Sequence, residues 1–319
     1  DRVTALFATR DWNAMADAMA EDMVDHDHRR MVNGGIRHGR DVHLANSRAV
    51  VEIGGESLTA TVIATRGDRL ALCRSTILGR GDRSDAFRIE FLSVVEVDAE
   101  DRIAAHLAFD PPDDLDGAVA ELDARFLAGE AAHYDNVWSQ VSEAFVALNR
   151  HDIPMTTEDY VAIDHQLHHS IGATGLADYL GTSWELTPDL SMYIETVHRL
   201  AENAVLVTMR GGTGTSVDGF RADWRLIEIL AVDSDTGMRC EIFGEADLEA
   251  ALGRFDEIAT PSVSLENTAS RADAQFNMLF AARRWDDIAA MLHDELRVED
   301  RRRGTAPGKG GRRYRNSPK

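Results

Sequence analysis

The chain has 319 residues, of which 44% are apolar and 28% charged, so it can build folded cores and is not a disordered chain. Its net charge of −21 disfavours nucleic acid over most of the surface, and no run of about 18 uncharged apolar residues is present to cross a membrane. With only Cys73 and Cys240, the chain has no disulfide framework, which predicts a reducing, cytoplasmic location.

The predicted elements begin with an amphipathic helix in which Trp12, Met15 and Met19 share one face. An extended segment at residues 24–29 and a short helix near 41–50 follow. Four strands come next, and the tight turn at Arg66-Gly67-Asp68 indicates an antiparallel meander. These strands are predicted at 58–65, 70–78, 87–97 and 103–109, with a closing helix at 115–126.

The same order returns in the second part of the chain. A helix at 130–149 carries Val137, Val141, Phe145 and Leu148 on one stripe. An extended segment at 160–165 and a helix at 177–184 follow. The remaining elements are strands at 192–198, 204–210, 220–232 and 238–243 and a helix at 248–255. Helices first and strands afterwards predict an α+β fold.

An internal repeat explains this recurrence. Seven residues near the N-terminus have counterparts 273 positions later, among them Trp12 with Trp285 and Asp27 with Asp300. A middle copy lies between them, in which Asp164 and His165 correspond to Asp27 and His28. Further pairs follow at offsets of 136 to 133: Gly39 and Gly175, Leu44 and Leu180, Asp98 and Asp233, Phe109 and Phe243, and Leu115 and Leu248. This period is far longer than that of a solenoid repeat, so each copy is expected to be a domain with its own core.

The repeat divides the chain into four predicted parts. Copy one covers 1–128, copy two covers 130–258, and 265–302 is a truncated third copy with helices only. Residues 303–319 are predicted to be a basic, flexible tail. Eight basic and no acidic residues lie in 301–319, so the first 300 residues carry 26 basic against 55 acidic residues, or −29. Such a tail either is merely solvated or binds nucleic acid or acidic membranes. Because the chain opens without methionine, it is expected to be a piece of a longer protein.

Four features of copy one form a recognisable series: RDW at residues 10–12, MVDHDHR at 23–29, the Gly-Arg-Asp helix start at 39–41 and the four strands after it. This series resembles the nuclear transport factor 2-like superfamily, which includes SnoaL-like polyketide cyclases and ketosteroid isomerase. The tandem arrangement, with GEAAHYDNVW at 129–138 opening a unit, also resembles C-terminal segments of large bacterial signalling proteins. The resemblance implies tandem cone-shaped α+β domains. In each, N-terminal helices would pack in a curved antiparallel (mixed) sheet around a pocket.

The resemblance also implies a general base, because an aspartate just after the second helix has that role in isomerase-like members. Asp27, Asp164 and Asp300 match this position, and His28 and His165 follow the first two. A carboxylate in an apolar pocket has a raised pKa and can shuttle a proton. Strand alternation places Asp25, Asp27 and Arg29 on one face, with His26 and His28 on the other. The alternative is a structural ion pair at the rim of the cone.

Other polar and aromatic residues are candidates for pocket lining. They are Trp12, Arg29, Arg74, Glu90 and His106 in copy one, and Tyr193, Glu195, Arg210 and Trp224 in copy two. The copies differ in supporting groups: copy one has no tyrosine, and Gln166 replaces Arg29 in copy two. The histidines of 26–28 and 165–169 have no cysteine beside them, and neither a metal nor another cofactor is expected.

Two functions follow as hypotheses. The first is a tandem module that binds a small apolar molecule or another protein within a larger bacterial regulatory protein. The alternative is an isomerase, cyclase or dehydratase that uses Asp27 or Asp164 as a proton shuttle. The two copies are expected to pack on each other as a pseudo-dimer or to form a homo-oligomer. No membrane partner is expected, and nucleic acid only through the tail.

Overall fold

The computed structural model describes residues 2–30, 32, 34–79, 88–112, 114–233, 237–259, 275–276, 278–279 and 283–291. The chain divides into two compact units, 1–260 and 261–319. In the second unit the described helix is α8 (Trp285–Met291). Most of the predicted third copy and all of the predicted basic tail lie outside the described residues.

The first unit contains two successive sets of helices and strands. Domain one consists of α1 (Arg2–Thr9), α2 (Trp12–Asp17), β1 (Met19–Asp27), β2 (Gly35–His38), α3 (Arg40–Glu52), β3 (Gly55–Arg66), β4 (Leu70–Gly79), β5 (Arg88–Val97), β6 (Ile103–Phe109) and α4 (Leu115–Ala128). Domain two consists of α5 (Asp135–Asn149), β7 (Val161–Asp164), β8 (His169–Gly172), α6 (Ala173–Leu186), β9 (Ser191–Leu200), β10 (Ala204–Thr215), β11 (Arg221–Asp233), β12 (Gly237–Gly244) and α7 (Leu248–Ala259).

The two domains have the same sheet topology. Domain one forms an open, curved sheet in the order β2-β1-β6-β5-β4-β3, and domain two repeats it as β8-β7-β12-β11-β10-β9. In each, the last strand pairs in parallel with the first, β6 with β1 and β12 with β7. The other pairs are antiparallel. The predicted α+β fold with mixed sheets is therefore confirmed.

The prediction was wrong at the second helix and incomplete at two strands. Helix α2 ends at Asp17, and Met19 begins β1 instead of lying on the helix face of Trp12 and Met15. Met19 is nevertheless buried in the same core as Met15, because β1 passes directly beneath the helices. Strands β2 and β8 were not predicted, since both are four-residue edge strands without apolar alternation.

One turn recurs in the three copies, after α1 in domain one and after α5 in domain two. Arg10, His151 and Arg283 all have left-handed φ angles, of 58°, 59° and 55°. The main-chain N–H of the next residue donates to the carbonyl oxygen five residues before it. These bonds run from Asp11 to Leu6, from Asp152 to Ala147 and from Arg284 to Leu279. Each of these bonds closes the end of a helix in the manner of a Schellman motif. The repeat seen in the sequence is thus also present in the backbone.

A continuous apolar core runs through the first unit. It includes Leu92 and Leu107 of the domain-one sheet, Leu122 of α4, Trp138 of α5 and Val205 of the domain-two sheet. Strand β3 of domain one contacts β9 of domain two. A second cluster packs α1, α2 and α3 on the inner face of the first sheet, and a third packs α7 on the outer face of the second. Among the described residues, no helix is both long and apolar enough to cross a bilayer.

Candidate functional site

The inner face of the domain-two sheet and its helices enclose a cavity of about 190 Å³. Its walls come from α5, α6 and strands β7 to β12, and they are mainly aliphatic: Leu148, Ile171, Leu176, Met209, Leu226 and Leu230. An apolar cavity of ~150 Å³ is large enough to bind benzene, so this one has room for a somewhat larger apolar molecule.

Glu228 brings a carboxyl group into this apolar cavity. It lies on the central strand β11, is 8% exposed, and makes no hydrogen bond or ion pair with any described residue. Burial raises the pKa of Glu228 to about 7, because the ionised form loses its hydration without gaining a partner. The group therefore changes charge near neutral pH, and when protonated it has a hydrogen to donate.

Asp164 supplies a second carboxyl group to the same cavity. It ends β7, and one of its oxygens accepts hydrogen bonds from the N–H groups of Gln166 and Leu167 at 2.8 and 2.9 Å. Asp164 pairs with Ile242 of β12, which pairs with Glu228 of β11. Since neighbouring strands are ~4.8 Å apart, the two carboxyl-bearing residues are separated by ~10 Å across one face. A small ligand can lie between them.

Domain one has a hydrogen-bonded polar cluster on the corresponding inner face. Oδ1 of Asp25, in β1, lies 3.0 Å from Nδ1 of His106 in β6 and 3.2 Å from Nδ1 of His43 in α3. Nη2 of Arg37 lies 3.4 Å from the other oxygen of Asp25. Burial alone would raise the pKa of Asp25, but the hydrogen bonds of His106 and His43, together with their charges at low pH where the rings are protonated, outweigh it, so the pKa is far below its usual value. Burial lowers the pKa of His106, so this ring is neutral at pH 7.

Strand register shows what replaces this cluster in domain two. Asp25 pairs with His106 in domain one, and the equivalent pair in domain two is Ala162 with Cys240. Both positions are thus smaller and less polar in domain two, and Tyr179 stands at the position of His43. The cavity of domain two occupies the place where domain one holds its polar cluster. The central strands β5 and β11 differ in the opposite direction, because the small, buried Ser93 of domain one is replaced by the larger and acidic Glu228 in domain two.

The predicted base Asp27 is buried and bound by Arg29. Nε and Nη2 of Arg29 donate to its two carboxylate oxygens at 2.9 and 2.8 Å, and the guanidinium lies 5.3 Å from the ring centroid of Phe91. Burial raises the pKa of Asp27, but the hydrogen bonds and charge of Arg29 more than compensate, so the pKa is lowered. The carboxylate is therefore held ionised as half of an ion pair, and not in the raised-pKa state that its position suggested.

The two predicted histidines are in equivalent places that face away from the inner surface. His28 stacks on Phe109 with ring centroids 4.6 Å apart, and His165 stacks on Phe243 at 4.2 Å. His165 also lies 2.8 Å from the buried Glu241, which binds Arg254. His28 is exposed, and Asp164 alone of the four predicted catalytic residues lines the domain-two cavity.

The predicted pocket-lining residues fall into separate groups. Arg74, Tyr193 and Arg210 meet in a cleft between the domains, Trp224 lines the domain-two cavity, and His106 belongs to the Asp25 cluster. The others have local partners: Glu90 pairs with Arg88, Glu195 pairs with Arg225 at 2.6 Å, and Trp12 lies edge-on to Phe7.

One group of side chains has the donors of a metal site. The ligand atoms of Asp25, His43 and His106 lie within 4.8 Å of one another, and two imidazoles with one carboxylate are a set that zinc accepts. Both imidazole Nδ1 atoms, however, already lie within hydrogen-bond distance of the same Asp25 oxygen, with Arg37 beside the other. Hydrogen bonding accounts for this geometry by itself.

Each domain thus combines N-terminal helices with a six-stranded mixed sheet wrapped around a small interior site. In both sheets the last strand pairs in parallel with the first. Both domains have the nuclear transport factor 2-like fold. The two domains repeat one sheet topology, in agreement with the internal repeat of the sequence.

Comparison with known proteins finds likeness at the level of structure. Neither a family model nor a curated sequence matches the chain. Three similar solved structures are an NTF2-like protein of unknown function from Exiguobacterium sp. 255-15 (14% identity, TM-score 0.27), a putative polyketide cyclase from Xanthomonas campestris pv. campestris (14%, 0.28), and a Mycobacterium tuberculosis protein in complex with estradiol-17β-hemisuccinate (12%, 0.30). Respectively they cover 34%, 35% and 35% of this chain and 93%, 87% and 90% of their own.

Sequence reasoning missed Glu228, His43 and the role of Asp25. Glu228 stands alone in the apolar run LIEILAV, which is the pattern of a buried strand with one acid in it. His43 lies on the helix after β2 and reaches Asp25 only through the fold. Asp25 shares the inner face with Asp27 two residues away, and only the structure shows which of the two meets the histidines.

Proposed function

We propose that domain two binds a small apolar molecule with one carbonyl or hydroxyl group, and that Glu228 is the polar contact that orients it. The supporting observation is a mainly aliphatic cavity that contains a buried carboxyl group without a partner among the described residues. Cavities with apolar walls and a few convergent polar groups are the usual form of small-molecule sites. A place for this module within a larger regulatory protein stays a prediction from the sequence.

Ligand binding would give Glu228 a partner, which no described residue supplies. Below pH 7 the protonated carboxyl group donates a hydrogen bond to a ligand carbonyl, and above pH 7 the carboxylate accepts one from a ligand hydroxyl. The aliphatic walls contribute most of the affinity through burial of the ligand, at about 25 cal/mol per Å² of apolar surface. The carboxyl group contributes selectivity.

The test compares a ketone with its hydrocarbon. Isothermal titration calorimetry with 1-tetralone and tetralin is expected to show tighter binding of the ketone at pH 6, with the preference declining through pH 7. In Glu228→Gln the ketone preference is expected to persist without a pH step, because an amide donates at every pH. In Glu228→Leu the preference is expected to disappear.

Two matched variants on one strand locate the site. Ala162 lines the cavity and its neighbour Ile163 does not, so Ala162→Leu is expected to block both ligands and Ile163→Leu to leave binding unchanged. Equal binding by both variants, or no binding of either probe to the unmodified protein, would show the proposal to be wrong.

A second candidate function is proton transfer in the same cavity. It is favoured by the carboxyl group of Glu228, with a pKa near 7, on the same face as Asp164. A general base with this pKa is well matched to neutral pH. The protein would then accelerate hydrogen–deuterium exchange at the carbon next to the carbonyl of 1-tetralone, and Glu228→Gln would abolish the acceleration. Binding without exchange would refute this candidate and leave the binding proposal standing.

We also propose that the two domains act as an intramolecular pseudo-dimer. The shared core that includes Leu122, Trp138 and Val205, together with the contact of β3 with β9, supports this arrangement. Thermal unfolding is then expected to show one cooperative transition for the two domains. Two separate transitions would contradict it.

A further inference from the structure

A second, larger cavity lies between the two domains, away from the interior of either sheet. Its volume is about 770 Å³, within the usual range for small-molecule sites. Domain one contributes β3, β4 and the start of α4, and domain two contributes the segment before β9 together with β9, β10 and β11. We call this cavity the interdomain cleft.

Three arginines line the interdomain cleft of a strongly acidic protein. They are Arg74 of β4, Arg210 of β10 and Arg221 of β11. Arg74 and Arg221 are exposed, and within the described part of the chain neither forms an ion pair or a side-chain hydrogen bond. Two guanidinium groups with unused donors therefore face one cavity that is reached from both domains.

Arg210 is held in place beside them. Its Nε and Nη2 donate to Asp223 at 2.9 and 2.7 Å, which fixes the plane of the guanidinium. The neighbouring Tyr193 is paired with Arg210 across β9 and β10 and is 6% exposed. Burial raises the pKa of Tyr193 while Arg210 opposes the rise, so at neutral pH the hydroxyl is protonated and has a hydrogen to donate.

The two acids that line the cleft already accept hydrogen bonds from the protein. Oδ1 of Asp189 accepts from the N–H of Thr215 at 2.6 Å, and Oδ1 of Asp116 accepts from Nδ2 of Asn149 at 3.2 Å. The first turn of α4, at Leu115 and Asp116, also borders the cleft, and the N-terminus of a helix carries partial positive charge. Arg74 and Arg221 thus have no side-chain partner among the described residues, whereas each of the two acids accepts a hydrogen bond.

We infer that the interdomain cleft binds a small organic anion, a carboxylate or a phosphate ester, through Arg74 and Arg221. Guanidinium groups bind both kinds of oxyanion in a bidentate manner. The apolar residues of the cleft, Ile63, Pro112 and Leu115, provide a surface for the body of such a ligand. Because the arginines come from different domains, the complete site exists only when the two copies are packed together.

The test uses three aromatic probes that differ only in their polar group: phenyl phosphate, benzoate and benzyl alcohol. Titration calorimetry at low ionic strength is expected to detect both anions and not the alcohol, since exposed charges are strongly screened by salt. The order of the two anions distinguishes a phosphate site from a carboxylate site. Equal affinities for the alcohol and the anions, or no binding of either anion, would overturn the inference.

Matched variants separate this site from other surfaces. Arg74→Gln and Arg221→Gln are each expected to weaken anion binding about tenfold, as loss of one charge-assisted contact does, and the double variant to abolish it. Arg199→Gln is the control, because Arg199 is an exposed arginine of β9 outside the cleft. Unchanged affinity in the double variant would refute the assignment. Anion binding is also expected to persist in Ala162→Leu, which distinguishes it from binding inside domain two.

Discussion

The guanidinium of Arg66 in domain one donates a hydrogen bond of 3.0 Å from Nη1 to the main-chain oxygen of Ile194 in domain two. Arg66 is completely buried, its Nε lies 2.7 Å from Asp123 of α4, and its Cζ lies 5.2 Å from the ring centroid of Trp138. One side chain therefore connects the end of β3 with α4, α5 and β9. Burial lowers the pKa of Arg66 and raises that of Asp123, and each group's charge opposes the shift of the other.

Removing this arginine should destabilise both domains. Arg66→Met leaves the Asp123 carboxylate buried without its cation, a change that typically costs about 3–5 kcal/mol. Urea unfolding measures the loss, and Arg69→Met is the control because Arg69 is exposed three residues later. The double variant Arg66→Met/Asp123→Leu is expected to recover part of the loss, since it removes both charges. Equal stability of Arg66→Met and the control would contradict this role.

Replacing two glycines by alanine is expected to change the stability of the protein in opposite directions. A Cβ on Gly55, at the start of β3, would lie 2.8 Å from the main-chain oxygen of Val50, so Gly55→Ala forces the backbone to move and is expected to lower the melting temperature. A Cβ on Gly181, inside α6, meets no atom within 4 Å. Gly181→Ala is therefore expected to stabilise the helix by about 1 kcal/mol. Melting temperatures that shift in the same direction for both variants would argue against these local environments.

The Asp25 cluster fixes the proton position on His106. Because the pKa of Asp25 is far below its usual value, its carboxylate is ionised at pH 7 and only accepts hydrogen bonds. The neutral His106 ring must then carry its hydrogen on Nδ1, 3.0 Å from Asp25, and leave Nε2 as an acceptor. Long-range ¹⁵N–¹H spectra are expected to show this tautomer in the unmodified protein and a mixture in Asp25→Asn. The Nε2–H tautomer in the unmodified protein would contradict the assignment.

The repeat made the fold predictable from the sequence. Pairs that align by offset have the same structural place: Phe109 and Phe243 each stack on the histidine that follows the matched aspartate. Leu115 and Leu248 each begin the helix that closes a domain. Apolar periodicity and turn residues carry this information locally, which is why the long strands were located within a few residues.

The candidate site was less predictable, because it depends on contacts between distant segments. Alternation placed Asp25 and Asp27 on one face, but the position of His43 and His106 decides that the cluster forms around Asp25. The family resemblance directed attention to Asp27, which the adjacent Arg29 holds as an ion pair. In domain two the cavity results from small side chains at Ala162 and Cys240, and an isolated sequence gives no sign that such positions enclose space.

The final prediction concerns the pH dependence of stability caused by Glu228. Its pKa is 4.5 in the unfolded chain and about 7 when folded, because burial disfavours the ionised form. Between these values the folded protein binds a proton that the unfolded chain has released, so the free energy of unfolding falls as the pH rises. The full penalty above pH 7 is about 3 kcal/mol, from 1.36 kcal/mol per pKa unit.

Glu228→Gln lacks this penalty and is expected to gain stability relative to the unmodified protein from pH 4.5 to pH 7, with no further gain above it. Glu143→Gln, a change at an exposed glutamate of α5, is the control. Urea unfolding at several pH values measures the difference, and parallel stability curves for Glu228→Gln and the unmodified protein would show that the carboxyl group is hydrated and not buried.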